Sequence, residues 1–405
     1  MLRTYSFGLC SIIAIIIGVY YAYSSQFDVN KAYELSPWII FNIRITLYRL
    51  LTRTGKLLLP RPSLVLDDYL GFFRMKIMYI TMDLGIPKIL HQAPRNVSEL
   101  AIVTGVLNPD DLTRWLRAAE SFGYYEYDFQ MNKWKNSELS NLLRDDHPSS
   151  LASYLRFNQE TVLSTWNSAA QILKTDFVGF EMIHQGQSFF DYLREHPDEA
   201  HVFNLAMSDS ARLTVSLRED YDWGKYCNRI VDIGGGNGQL LVDILSLYPN
   251  LNGVLFDLGH VIQDGIVRLQ QKYPEYIKRL EFHSGSFIDK ESFPNIHNKD
   301  CLTIRAVLHD WPDKDVIRIL KNIKFSLRRN RLQSKLYIIE RVLKEHFDEF
   351  TTYSSDLNMG LLFQAKERTE TEWASLLFSA GFKINNIFRT RTAFSIIVAE
   401  SVDTD

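Results

Sequence analysis

The chain has 405 residues, 46% of them hydrophobic and 23% charged, with a formal net charge of −3. That is enough chain for two domains with a full core, and the near-neutral balance excludes a protein that grips nucleic acid by bulk electrostatics. Aromatic residues reach 13%, most of them expected in the core, although aromatic-rich pockets also suit flat ligands.

In chain order, Phe7 to Tyr23 is an uncharged run rich in isoleucine (Ile12, Ile13, Ile15, Ile16, Ile17) with Tyr20, Tyr21 and Tyr23 at its end. A spanning anchor over 1–30, a cleaved secretory signal ending near Ala22-Tyr23-Ser24, and a buried helix all fit such a run. Lys31, Arg44, Arg49, Arg53, Lys56 and Arg61 follow it and only Arg3 precedes it, which expects the body of the protein on the cytoplasmic side of a single-pass membrane anchor. Trp38 to Leu59, within a linker of 31–63, reads as a basic amphipathic helix that lies on a membrane surface or packs on the body or on a partner subunit. Pro60 and Pro62 break the chain. From 64 to 165 the pattern is helical: Asp67–Leu90 interrupted near Pro87, Val97–Thr104, Asp110–Phe122, then two short aromatic strands around Asp128. This is a winged-helix outline. Asp110, Asp111 and Glu120 beside Arg114 and Arg117 deny its second helix a positive face, so a structural or dimerising role is expected rather than nucleic-acid binding.

From 166 to 400 strands alternate with helices. The strands are expected at Arg229–Ile233, Gly253–Asp257, Leu280–His283, Cys301–Ala306 and Lys335–Ile339. The helices are expected at Gln239–Leu247, Ile262–Lys272 and Lys314–Leu327, and an antiparallel pair, Ile384–Arg389 and Ala393–Ala399, closes the chain. The fold class is α/β, a Rossmann-like doubly wound sheet with an antiparallel edge, whose ligands sit at the carboxyl ends of the strands. The three cysteines, Cys10, Cys227 and Cys301, lack metal-ligand spacing, so no metal is expected, and they fit a reducing compartment better than a disulfide framework.

The turn after the first of these strands, Asp232-Ile233-Gly234-Gly235-Gly236-Asn237-Gly238, carries most of the chemistry. Its glycines let a ligand lie against bare backbone at a helix N-terminus. The spacing is G-x-G-x-G, and Gln239 stands where the dinucleotide fingerprint needs its third glycine, which disfavours a nicotinamide oxidoreductase. Asp257 ends the next strand, where an acid accepts ribose hydroxyls. His309, Glu340 and Glu367 fall at the same sheet edge, and two carboxylates beside an imidazole fix its tautomer and raise its basicity.

The segments Leu308 to Ile323 (L-H-D-W-P-D-K-D-V-I-R-I-L-K-N-I), Lys335 to Glu340 (K-L-Y-I-I-E) and Ala365 to Thr369 (A-K-E-R-T) resemble the class I S-adenosylmethionine-dependent O-methyltransferases of the caffeic acid and hydroxyindole type. Met82 to Ile86, Val97 to Ala101 and Phe203 to Met207 resemble their winged-helix dimerisation domain and pocket-lining helix. The resemblance spans roughly 64 to 400. It implies an enzyme that moves a methyl group from S-adenosylmethionine to a hydroxyl of a small, phenolic molecule, working as a homodimer. It implies His309 as general base flanked by Glu340 and Glu367. Asp232, Gly234, Gly235, Gly236, Gly238, Asp257, Ser286, Phe287 and Arg305 would hold the cofactor, and Phe203, Met207 and Met359 would line the acceptor site. A methyl donor made in the cytosol favours an uncleaved anchor. Two departures stand out: Ser286 replaces the family's aspartate, and Gln364-Ala365 replaces the Gly-Gly before its K-E-R-T. They leave a non-catalytic, membrane-tethered cofactor-binding scaffold as the alternative reading.

Overall fold

A computed structural model of the protein describes residues 38–212, 216–328, 334–345 and 350–402. Two long helices open it, α1 (Trp38–Leu58) and α2 (Arg61–Asp83). Pro60 caps α2 and Pro62 sits in its first turn, where a missing N–H costs nothing; the prolines therefore start a helix instead of making a linker. The helix expected over Asp67–Leu90 breaks at Gly85, whose φ of 70° ends α2 and starts α3 (Ile86–Gln92), with Pro87 inside the first turn of α3. Asn96 and Glu99 form a reciprocal cap on α4 (Val97–Thr104). Helix α5 (Pro109–Glu120) and the antiparallel pair β1 (Tyr125–Asp128) and β2 (Lys133–Asn136) follow. Leu100, Leu112, Leu116, Tyr125 and Trp134 form the core of this region.

Short helices come next: α6 (Ala152–Phe157), a π turn (Asn158–Val162), α7 (Leu163–Asn167), α8 (Gly179–Ile183), α9 (Phe189–Glu195) and α10 (Pro197–Arg212). They bury a cluster of aromatics around Phe157, Phe180 and Phe189. Among the described residues a seven-stranded sheet follows, in the order β8–β9–β7–β6–β3–β4–β5. Its strands are β3 (Arg229–Ile233), β4 (Asn252–Asp257), β5 (Leu280–Ser284), β6 (Asp300–Arg305), β7 (Lys335–Glu340), β8 (Phe382–Arg389) and β9 (Ser395–Ser401). The first five run parallel and the last two make the antiparallel edge. Every residue of β3 is buried, as a central parallel strand covered on both faces requires. Helices α11 (Gln239–Leu247), α12 (Gly259–Lys272), α13 (Asp313–Arg328), α14 (Phe350–Phe363) and α15 (Glu370–Ser379) complete the layers.

Two expectations need correction. Among the described residues no helix is long and apolar enough to cross a membrane, so the anchor and the membrane localisation built on it are withdrawn; Phe7 to Tyr23 lies outside the described residues. The cysteines were also misread. Cys227, two residues ahead of β3, and Cys301 on neighbouring β6 are joined as a disulfide, with Cα atoms 5.4 Å apart. Their separation of 74 residues hid a contact that the pairing of β3 with β6 creates.

Candidate active site

The carboxyl ends of β3, β4, β6 and β7 meet at one edge of the sheet, and the site is built there. After β3 the backbone turns through Gly234, Gly236 and Gly238, at φ of 66°, 57° and 78°, values that favour glycine. A Cβ on Gly235 would lie 2.6 Å from Asp232 Oδ2 and 2.5 Å from Leu255 Cδ1, whereas one on Gly236 would meet open space. The turn is thus tight on its protein side and free on the other. Gly236 N donates to Asp257 Oδ2 (2.8 Å) and Leu258 N to Oδ1 (2.7 Å). Burial raises the Asp257 carboxyl above the usual range while those two amides oppose it.

Asp232 lies beneath the turn and accepts from Thr303 Oγ1 at 2.8 Å. Burial pushes it up to about 6, against the pull of Arg305 and the threonine hydroxyl. Arg305, at the end of β6, is held below the usual guanidinium range by burial, with Asp232, Asp243 and Glu340 acting in the opposite sense. It lies in the field of both the glycine-turn acid and the acid at the end of β7. Ser286 Oγ accepts from Ile288 N at 3.3 Å, which leaves its proton to give. Phe287 packs edge-on to Trp311 at 5.9 Å and comes within 3.5 Å of a Cβ on Gly234. An open turn of bare glycine backbone, a strand-end acid and an aromatic wall fit a nucleoside-type cofactor.

His309 stands in a single turn, Leu308–Asp310, directly after β6. Val307, two residues earlier, comes within 3.0 Å of a Cβ on Gly234, so the loop that carries the imidazole abuts the glycine turn. His309 Nδ1 is 3.1 Å from Glu340 Oε2 and 3.3 Å from Glu367 Oε1, and Nε2 is 3.4 Å from Asp310 Oδ1. Both glutamates are buried. Glu340 is fixed by the amides of Val307 and Leu308, which donate to Oε1 at 3.0 and 2.9 Å. Glu367 is fixed by Ser355 Oγ, which donates to Oε1 at 2.7 Å, and by its own amide donating to Asp356 Oδ1 at 2.9 Å.

Burial disfavours the imidazolium, but Glu340, Asp310 and Glu367 outweigh it and hold His309 well above the ordinary histidine range. Burial also pushes Asp310 up to about 7, with His309 opposing. Burial raises the Glu367 carboxyl, and His309, Arg341 and Ser355 outweigh it and hold it below the usual range.

The three residues expected at the acceptor are spread over two helices. Phe203 of α10 belongs to the aromatic cluster, with ring centres 5.4 Å from Phe157 and 5.3 Å from Phe189. Met207, one turn on, is 38% exposed. Met359 is half-buried on α14, one turn beyond Ser355. Sequence reasoning missed how these helices are tied down. Ser208 is hydrogen-bonded to the Asn237 side chain, joining α10 to the glycine turn. Trp166 Nε1 donates to Asn358 Oδ1 at 2.5 Å, joining α7 to α14. Polar residues at helix positions carry no pattern that announces such partners. Asp310 also went unassigned, although its place beside His309 was a signal.

Residues 166–383 match the family described as O-methyltransferase domain. The chain is 30% identical over 344 residues to phenazine O-methyltransferase PhzM of Lysobacter antibioticus, covering 85% of this chain and 97% of that protein. It is 31% identical over 332 residues to myricetin 7/4'-O-methyltransferase 2 of Solanum habrochaites, covering 78% and 89%. The crystal structure of human N-acetylserotonin methyltransferase in complex with S-adenosylmethionine superposes with a TM-score of 0.75 at 22% identity, over 85% of this chain and 99% of that one, a likeness of fold. With a matched domain, near-complete coverage of its relatives and a turn shaped for their cofactor, this chain belongs to the S-adenosylmethionine-dependent O-methyltransferases.

Proposed function

We propose that the protein methylates a hydroxyl of a small aromatic molecule, with His309 as the general base. The observation that carries the reading is the 3.1 Å approach of His309 Nδ1 to a buried glutamate, Glu340. A proton held on Nδ1 by that carboxylate leaves Nε2 with a lone pair for the acceptor O–H. Bound S-adenosylmethionine supplies an activated methyl group. A phenol has a pKa of about 10 and an ordinary histidine about 6.5, so full proton transfer is uphill by roughly 5 kcal/mol. Raising the basicity of His309 narrows that gap, and moving the proton as the methyl moves removes more of it. General-base action of this kind contributes about 10² to 10⁴ in rate, and holding the acceptor in line supplies much of the remainder.

In this reading Asp257 accepts the ribose hydroxyls, the bare backbone of Gly234 to Gly238 lies against the amino-acid end, and Ser286 and Phe287 face the adenine. Phe203, Met207 and Met359 enclose the acceptor ring. The aromatic class of acceptor is supported by the phenazine and myricetin relatives. Residues 64–165 are assigned to dimerisation as a winged helix, supported by the exposed Leu66, Tyr69 and Phe72 on α2, an apolar surface of the kind that marks an interface.

The test is methyl transfer from labelled S-adenosylmethionine to a panel of phenols, catechols and hydroxylated polycyclic aromatics. The label is expected on oxygen. Binding of the cofactor with no transfer to any member of the panel, or to any component of a cell extract, would defeat the proposal.

A further inference from the structure

Two carboxylates contest a single N–H at His309, and they are not equivalent. Among the described residues the Glu340 oxygen that faces the imidazole, Oε2, has no hydrogen-bond partner, and neither has His309 Nδ1, 3.1 Å away; the two backbone amides are taken by Oε1. The Glu367 oxygen that faces it, Oε1, is already occupied. Ser355 Oγ donates to it at 2.7 Å and Arg341 Nη1 at 3.5 Å. Arg341 directly follows Glu340, and its guanidinium carbon lies 4.6 Å from the centre of the buried Phe394 ring. That contact helps to hold the cation in place.

We propose that Arg341 is a positioning residue: with Ser355 it claims the Glu367 carboxylate, so that His309 gives its Nδ1 proton to Glu340 alone and presents a bare Nε2 to the acceptor. The idea rests on His309 being the base. A base must be unprotonated to act, and this one is ringed by Asp310 from its own turn, Glu340 from β7 and Glu367 from the segment after α14. Arg305 of β6 stands behind Glu340, and Asp356 of α14 behind Glu367. The acids around it favour protonation of both ring nitrogens, and a cation set among them favours the unprotonated form. Arg341 is the cation that touches the acid side of this ring, and it draws Glu367 below the usual carboxylate range together with His309 and Ser355, against the effect of burial.

The test is a titration that needs no acceptor. The full chain, loaded with S-adenosylhomocysteine and carrying ¹³C-labelled histidine, is followed by NMR from acid to alkali, the His309 signal being the one that His309→Gln removes. Arg341→Gln is expected to raise the His309 midpoint by roughly half a unit to one unit, the size of losing a nearby but not adjacent charge, and Arg341→Lys to return it toward wild type. Ser355→Ala moves it in the same direction by less, and stands in should Arg341→Gln not fold. An unmoved midpoint in Arg341→Gln, or a shift in Arg341→Lys as large as in Arg341→Gln, overturns the proposal; with only Ser355→Ala in hand, an unmoved midpoint does so. Absence of methyl transfer would refute the functional reading and leave this titration intact.

Discussion

The carboxylates around His309 raise its affinity for a proton above that of an ordinary histidine, which would narrow the gap to a phenolic acceptor in the proposed reaction. The sign of the pH dependence follows. In the proposed reaction the active form is the neutral imidazole, so kcat/KM is expected to fall as pH drops through the His309 midpoint, which stands above the ordinary value of about 6.5. Glu340→Gln removes a negative charge facing Nδ1, so the acid limb is expected to move to lower pH while the plateau falls. A limb that stays in place, or rises, would show that Glu340 does not set the proton on this ring. The residue scale is also where sequence was most and least informative. The H-D-W and K-E-R-T motifs pointed to His309 and Glu367 because their chemistry is local and ordered along the chain. Arg341 escaped notice because it lies just past the end of β7, and nothing in the order Glu340-Arg341 shows that the guanidinium turns to join Glu367.

At the scale of elements, two glycines decide where the site's parts sit. Gly235 has no room for a side chain on its protein side, and Gly235→Ala is expected to distort the turn and weaken S-adenosylhomocysteine at least tenfold by calorimetry, about 1.4 kcal/mol. Unchanged affinity would mean that the turn does not hold the cofactor. Gly179, at the start of α8, would place a Cβ 2.3 Å from the Leu361 carbonyl oxygen of α14. Backbone cannot rotate away, so Gly179→Ala should cost about 1–3 kcal/mol and lower the melting temperature; an unchanged melt would mean that α8 and α14 move apart freely.

The departure at Gln364 is explained at this scale too. Gln364 takes a φ of 53° where the family has glycine, and its side chain donates to the Asp176 carbonyl at 3.1 Å, a bond that offsets the strained backbone. The parallel strands were readable because a buried strand needs a continuous apolar run, and β3 was read to its ends. The bounds of α6 to α9 were not, because short segments broken by a π turn and by aromatic packing keep no 3.6-residue period.

For the molecule as a whole, the disulfide ties β3 to β6, the two strands whose far ends lead into the glycine turn and into His309. A link closing 74 residues restricts the unfolded chain by up to about 4 kcal/mol in the chain-entropy account. Reduction, or Cys227→Ser with Cys301→Ser, should lower the melting temperature. The check is mass spectrometry of alkylated, unreduced protein, where the peptides of Cys227 and Cys301 are expected joined, and separate alkylation of both would refute the link. The fold class and the order of the site along the chain were legible from the sequence, since both follow from the alternation of strand and helix. The disulfide and the Ser208–Asn237 tie were not, because each depends on which strands and helices become neighbours.

The central claim is tested most directly by single-turnover transfer from methyl-tritiated S-adenosylmethionine, comparing wild type with His309→Ala on an accepted phenol. The variant is predicted to bind S-adenosylhomocysteine as wild type does and to transfer the methyl about 10² to 10⁴ times more slowly. Transfer at the wild-type rate would contradict the account.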